Sequence, residues 1–114
     1  MGPLVSRPHR ERVLGYINQG IAEGAQLLVD GRRCTVIDYP DGYWVGATLF
    51  DHVTPAMTIY KEEIFGPVLA IVRAPDYATA VQLVNDHEYG NGAAIFTRDG
   101  DAARDFSHRV QIGM

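Results

Sequence analysis

The run Val68-Leu69-Ala70-Ile71-Val72 decides the fold, because an unbroken apolar stretch is typical of a strand that is covered on both faces in a parallel sheet. After it, Asp76 is placed to cap a helix whose buried side is expected to carry Ala80, Val81, Leu83 and Val84. A second apolar strand is predicted over residues 93–97, followed by a helix from about Asp101, capped by Asp99. Strand, helix, strand and helix in this order indicate a right-handed crossover unit. The sequence therefore predicts an α/β fold, a mostly parallel sheet with flanking helices.

The first half of the chain is predicted to add one helix and two strands. Ser6 stands before Pro8 in a helix-start arrangement, and apolar residues then recur at helical spacing up to Gly24. Residues 25–29 are a short apolar run closed by Asp30-Gly31. Residues 44–50 are rich in β-favouring side chains and follow the turn signal Pro40-Asp41-Gly42. We expect a strand in each of these two segments.

Composition and charge restrict the classes of protein. With 114 residues, of which 46% are hydrophobic and 21% charged, one globular domain over residues 1–114 is predicted. The net charge of -4 offers no basic stripe to neutralise phosphates, so neither nucleic acid nor a membrane is an expected partner. No apolar run approaches the ~18 residues of a membrane span. The single cysteine cannot close an internal disulfide, which favours a reducing compartment: the cytoplasm, or the mitochondrial matrix in a eukaryote.

The stretch Lys61-Glu62-Glu63-Ile64-Phe65-Gly66-Pro67-Val68 places two carboxylates, an aromatic ring and a Gly-Pro bend directly ahead of the apolar strand. A carboxylate can accept two hydrogen bonds from a vicinal diol such as a ribose, and a ring can hold a flat heterocycle. The alternative is a solvated glutamate pair with Phe65 in the core beneath the turn. Residue types alone favour this alternative, because charged pairs in loops are usually solvated.

The same stretch resembles a signature of the aldehyde dehydrogenase superfamily, which there precedes a strand of the catalytic domain. The resemblance covers nearly the whole chain, because further segments follow in the family's order: Met1-Gly2-Pro3-Leu4-Val5, Glu23-Gly24-Ala25, Gly46-Ala47-Thr48 and Ile95-Phe96-Thr97. Residues 89–97, Tyr-Gly-Asn-Gly-Ala-Ala-Ile-Phe-Thr, are similar to the methylmalonate-semialdehyde branch. Ala47 departs from the family, which usually has proline there, at a structural position that leaves the site assignment unchanged.

The resemblance implies a partial aldehyde dehydrogenase catalytic domain that uses NAD. Glu63 matches the glutamate that binds the hydroxyls of the nicotinamide ribose, and Phe65 matches the aromatic residue that limits nicotinamide movement. The implied reaction is covalent: a cysteine thiolate attacks a small semialdehyde, NAD is reduced, and the thioester passes to coenzyme A. In the methylmalonate-semialdehyde branch, loss of carbon dioxide yields propionyl-CoA or acetyl-CoA, as in valine catabolism. The family's nucleophile lies upstream of the segment that begins at Met1, so no catalytic residue is assigned and the isolated chain is expected to be inactive.

Cys34 is the single thiol, and the neighbouring Arg32 and Arg33 are of the kind that can make a cysteine reactive. It has no recognisable histidine partner and does not match the family's nucleophile, so we interpret it as structural or incidental. No metal site is predicted, because the histidines lie in unrelated segments without metal-ligand spacing: His9, His52, His87 and His108.

Uncovered surfaces predict self-association. A strand-helix-strand layer leaves sheet edges and apolar faces open, and the sequence stops on the apolar segment Val110-Gln111-Ile112-Gly113-Met114. A homo-oligomer is therefore expected. Two alternatives to the CoA-acylating enzyme segment remain open. One is a truncated, non-catalytic paralogue that acts as a binding or assembly module through its sheet edge. The other is a piece of a hydrolytic aldehyde dehydrogenase, which differs in its acyl acceptor.

Overall fold

The computed structural model describes residues 1–113, which form helices and a small sheet. The helices are α1 (Arg7–Ala22), α2 (Thr58–Lys61), α3 (Tyr77–Asp86) and α4 (Gly100–Arg109), and the strands are β1 (Gln26–Val29), β2 (Thr48–Asp51) and β3 (Val68–Ala70). The chain divides into two compact units, Met1–Val72 and the residues from Arg73 onward. The α/β class predicted from the sequence is confirmed. Within the described residues, none of the helices combines the length and the apolar character needed to cross a membrane.

The sheet of the first unit is mixed. Its strand order is β1-β2-β3, with β1 antiparallel to β2 and β2 parallel to β3. Phe50 in the middle strand stands opposite Leu27 on one side and Ala70 on the other. The sequence predicted a mostly parallel sheet, but apolar runs carry no information about the direction in which neighbouring strands pair. The unit nevertheless contains the parallel pairing that precedes the predicted helix α3.

The second strand begins later than predicted, because residues 44–47 belong to the connection from β1 to β2. Of residues 44–50, only those from Thr48 onward join the sheet. In the connection just before β2, Gly46 donates its N–H to the Gly31 carbonyl at 2.8 Å. A Cβ atom on Gly31 would overlap the Gly46 carbonyl, so this close backbone approach requires glycine. Buried Thr48 completes the contact, because its Oγ1 accepts a hydrogen bond from the Gly31 N–H at 3.1 Å.

Helix α1 supplies much of the core of the first unit. Ser6 caps it, as predicted, by accepting a hydrogen bond at 3.3 Å from the backbone three residues on. Val13 and Ile17, one turn apart, are both 0% exposed. One further turn on, buried Gly20 lets the side chains of the opposite layer approach the helix closely. The core cluster comprises Val13, Ile17, Ala25, Val45, Phe50, Val53, Ile59 and Ile64.

In the second unit both predicted helix caps are confirmed. Asp76 accepts a hydrogen bond from the Thr79 N–H at 2.7 Å at the start of α3, and Asp99 caps α4 in the same way. Val81 is the buried residue of α3, at 3% exposure. Asn85 then joins α3 to the end of α4, because its amide group contacts the backbone of Arg109 and Gln111.

The strand predicted over residues 93–97 is wrong within the described residues, and the predicted crossover unit is therefore not completed. A strand requires a neighbouring strand with which its backbone can form hydrogen bonds. An apolar run by itself supplies only a tendency of its residues to adopt the extended conformation. The side chains still alternate in burial, with Ile95 half-buried and Phe96 98% exposed. Ile112, at the apolar end of the sequence, is half-buried beside Gly90, whereas Met114 lies outside the described residues.

Candidate functional site

The candidate site is the loop that joins α2 to β3, residues 62–67. Helix α2 ends because Glu62 adopts extended backbone angles, while its N–H still donates to the Thr58 carbonyl at 2.9 Å. At the far end of the loop, the Pro67 carbonyl accepts a hydrogen bond from the Thr48 N–H at 2.9 Å. Backbone hydrogen bonds therefore hold both ends of the loop to regular structure.

Alternating burial separates the side chains of this loop. Ile64 is 9% exposed and packs in the core, whereas Glu63 is exposed and Phe65 is 70% exposed. Glu63 and Phe65 both line an open cavity of about 390 Å³, a size in the range of small-molecule sites. The structure thus brings the two predicted site residues together on one concave surface. The alternative that places Phe65 in the core beneath the turn is wrong.

Phe65 has a strained backbone conformation. Its φ is 55°, in the left-handed region that bulky residues rarely enter and that costs about 1–3 kcal/mol. The Phe65 carbonyl lies 2.7 Å from Nε2 of His9, and Arg12 Nη2 lies 2.9 Å from Nδ1 of the same ring. A carbonyl can only accept and a guanidinium can only donate, so His9 donates through Nε2 and accepts at Nδ1. These partners are consistent with the tautomer that carries its proton on Nε2.

The two adjacent glutamates have different surroundings. The hydroxyl of Tyr16 donates a hydrogen bond to Oε2 of Glu62 at 2.6 Å, which ties that carboxylate to α1. Both glutamates line the cavity, Glu63 beside Phe65. The sequence treats the two glutamates as equivalent, and only the fold shows that the carboxylate of Glu62 is bound to a helix.

Helix α2, which leads into the loop, is capped from a distance. Glu23 accepts hydrogen bonds from the Thr58 N–H at 2.8 Å and from the Thr58 hydroxyl at 2.6 Å. These bonds from Thr58, with a further one from Gln19, lower the pKa of the Glu23 carboxyl. Sequence reasoning missed both the short helix and this contact, because the partners are 35 positions apart and form no local motif.

Cys34 does not belong to the candidate site. It is exposed and is not among the residues that line the cavity. Arg32 is paired with Asp30 at 2.6 Å and lowers the pKa of that carboxyl to about 2, so its charge is matched by a carboxylate. Across residues 1–113, no group of three histidine, cysteine or acidic side chains has an arrangement suited to a metal ion.

A second cavity, of about 520 Å³, lies in the long connection before β2. It is lined by Pro3, Asp38, Tyr39, Pro40, Asp41, Gly42 and Trp44. The indole N–H of Trp44 donates to the Tyr39 carbonyl at 2.6 Å and so closes the turn predicted at Pro40-Asp41-Gly42. None of the predicted site residues contributes to this cavity.

Comparison with known proteins matches the full length of this sequence to one family. The sequence model of the aldehyde dehydrogenase family matches residues 1–114. A malonate-semialdehyde dehydrogenase of Pseudomonas aeruginosa is 57% identical over 114 residues, which are 100% of this chain and 23% of that protein. The acylating, mitochondrial methylmalonate-semialdehyde/malonate-semialdehyde dehydrogenase of mouse is 48% identical over 99% of this chain and 21% of its own length.

A solved structure agrees with the fold as well. The crystal structure of a Sinorhizobium meliloti protein, described as a methylmalonate-semialdehyde dehydrogenase complexed with NAD, superposes with a TM-score of 0.96 at 55% identity. The match covers 100% of this chain and 23% of that one. The chain thus spans about a quarter of the length of these relatives.

Proposed function

The chain belongs to the aldehyde dehydrogenase family, and from that premise we propose that it is a segment of an NAD-dependent enzyme that oxidises a small semialdehyde. The family resemblance carried by residues 62–68 and 89–97 is confirmed by the matches over the whole chain. The role proposed for this segment is to hold the nicotinamide end of the cofactor, with Glu63 and Phe65 as the contact residues.

The observation that carries this proposal is the exposure of Glu63 and Phe65 on either side of buried Ile64, at one cavity. An exposed carboxylate can accept two hydrogen bonds from a ribose diol, and an exposed ring can restrict a flat heterocycle. The residues present therefore fit the group that the family uses. The strained backbone of Phe65 supports the same interpretation, since strain of this kind concentrates at functional sites.

Each residue has a separate task in the proposed site. The Glu63 carboxylate holds the ribose, and Phe65 limits the positions open to the ring beside it. NAD, when bound, supplies the acceptor for the hydride that leaves the substrate. Hydride transfer depends strongly on distance and angle. The proposed contribution of this segment is therefore to place the nicotinamide ring, which accepts the hydride, and not to break bonds.

Coenzyme A is the acyl acceptor that we propose for the complete enzyme. The mouse relative bears the word acylating in its name, and the relatives are named for malonate or methylmalonate semialdehyde. The thioester from which the acyl group passes to coenzyme A would form on the family's cysteine, which this chain does not supply. A single domain over residues 1–114, a homo-oligomeric enzyme and a cytoplasmic or mitochondrial-matrix location remain predictions.

The test is Glu63→Gln in the full-length enzyme that carries this segment. The substitution preserves size but replaces a charged acceptor, whose hydrogen bonds contribute about 1.5–3 kcal/mol each, with a weaker neutral one. We expect a fall of about tenfold or more in the rate of NADH formation in a single turnover, with a raised KM for NAD. Thermal unfolding should be unchanged, because Glu63 is exposed.

The matched control is Glu11→Gln. Glu11 is also exposed, at 61% of its side chain, and forms a surface ion pair with Arg10, which has little energetic weight. Glu62 is unsuitable as a control because Tyr16 binds it. Equal hydride-transfer rates in the Glu63 variant, the Glu11 variant and the parent would refute the proposed cofactor role. Early unfolding of the Glu63 variant would assign the residue a structural role instead.

A further inference from the structure

We propose that His9 and Tyr16 of helix α1 are positioning residues that hold the loop of residues 62–66 in the shape in which Glu63 and Phe65 face their cavity. The inference rests on the proposed function of that loop as the cofactor site. Neither His9 nor Tyr16 lines the cavity, so both act through the residues that they bind.

The two side chains lie on one stripe of α1, together with Val13. The spacings of four and three residues along His9, Val13 and Tyr16 place them on the same face of the helix. His9 and Tyr16 are thus separated by about 10 Å along the helix axis. Val13 packs between them against Gly66, where a Cβ atom would lie only 2.7 Å from a Val13 methyl group. The helix face and the loop are therefore in direct contact along this stripe.

Each end of the stripe holds a different point of the loop. The Tyr16 hydroxyl donates to Oε2 of Glu62 at 2.6 Å, and His9 Nε2 donates to the Phe65 carbonyl at 2.7 Å. The two bonds enclose Glu63 in the sequence, so they restrict the backbone on both sides of the proposed ribose ligand. They leave the carboxylate of Glu63 itself exposed at the cavity.

The bond from His9 has a specific task at the strained residue. At a φ of 55°, Phe65 is in a region that it would leave if nothing held its peptide group. A hydrogen bond to its carbonyl fixes the orientation of the peptide that follows Phe65 and so restrains the backbone at the strained residue. Arg12 donates to the other ring nitrogen of His9 at 2.9 Å and keeps the imidazole in the orientation that makes this bond.

The experiment uses the full-length enzyme that carries this segment, with variants at both contacts. Tyr16→Phe removes only the hydroxyl, and His9→Ala removes the imidazole. His9→Gln retains an N–H donor that can reach the Phe65 carbonyl, so it serves as the rescue variant. Tyr39→Phe is the matched control for the tyrosine, because Tyr39 is 67% exposed and lies outside the loop. Glu63→Gln is measured in parallel.

We expect His9→Ala and Tyr16→Phe each to raise the KM for NAD and to lower the single-turnover rate by about 2- to 10-fold, the range that one hydrogen bond allows. The KM for the semialdehyde should be unchanged in both. His9→Gln should recover most of the loss, and Tyr39→Phe should behave as the parent. A purely structural role would change both Michaelis constants together and would not be rescued by an amide.

Three results would overturn the inference in distinguishable ways. If Glu63→Gln impairs hydride transfer while His9→Ala and Tyr16→Phe do not, the loop binds the cofactor but does not need these anchors. If Glu63→Gln is also silent, the proposed function itself fails, and the positioning role fails with it. Damage in His9→Ala that His9→Gln does not relieve, with both Michaelis constants raised, likewise excludes positioning.

Discussion

The contact between α1 and the loop of residues 62–67 predicts that Gly66→Ala destabilises the first unit. A Cβ atom at Gly66 would lie 2.7 Å from Cγ2 and 2.8 Å from Cγ1 of Val13, well inside the van der Waals contact distance. Val13 is 0% exposed, and a β-branched side chain in a helix has one strongly preferred rotamer, so it has little freedom to move away. Overpacking of this kind costs about 1–3 kcal/mol in the free energy of unfolding.

A double-mutant cycle separates the steric clash from other effects of the alanine. Val13→Ala alone removes both methyl groups and should cost about 2 kcal/mol through lost burial. In that background the methyl groups that oppose the new Cβ are gone, so Gly66→Ala should be neutral or even stabilising by up to about 1 kcal/mol. The control is Gly15→Ala, because a Cβ atom at Gly15 meets nothing within 4 Å and alanine favours the helix.

The assay is urea unfolding of the purified chain followed by tryptophan fluorescence. Trp44 is the single tryptophan and lies in the first unit, so the signal reports on the unit that contains the clash. The reasoning is refuted if Gly66→Ala is as stable as the parent, or if its cost is the same with and without the Val13 methyl groups. Gly15→Ala should move the midpoint in the opposite direction.

Three further predictions concern pH, activity and association. Because hydrogen bonds from Thr58 lower the pKa of Glu23 from its ordinary value of 4.5, its stabilising contribution is complete above that value and is lost as the pH falls through the folded-state pKa. Glu23→Gln should therefore lower stability at pH 7 and match the parent in strong acid, as urea titrations at several pH values will test. A polypeptide of these 114 residues alone should show background activity with malonate semialdehyde, NAD and coenzyme A; turnover that disappears in Cys34→Ser would contradict this. Light scattering over a dilution series should detect a dimer or larger species, because Leu28, Val29 and Leu69 of the sheet are 48%, 48% and 63% exposed, and a monomer at all concentrations would argue against it.

Local chemistry explains what could be predicted from the sequence by itself. Ser6, Asp76 and Asp99 were identified as helix caps, and each accepts a hydrogen bond from the backbone within three residues. Such contacts form whenever the chain enters the helix, so the residue order alone reveals them. The family membership was equally visible, because the signature over residues 62–68 is continuous in the chain. The same resemblance identifies Glu63 and Phe65 as candidate site residues.

The tertiary structure decided the features that depend on segments far apart in the chain. Three hydrogen bonds of the site region join residues that are 46, 56 and 35 positions apart in the chain, those of Glu62, Phe65 and Thr58. Pairs so far apart form no short sequence motif from which they could be predicted. The same holds for strand pairing, which depends on the backbone that lies alongside. The periodicity of apolar residues predicts neither the antiparallel pairing of β1 nor the lack of strand pairing over residues 93–97. The exposure of Phe65 has the same origin. A ring next to a strand is in the core or at the surface according to how the loop docks on α1, and that docking is determined by packing in three dimensions.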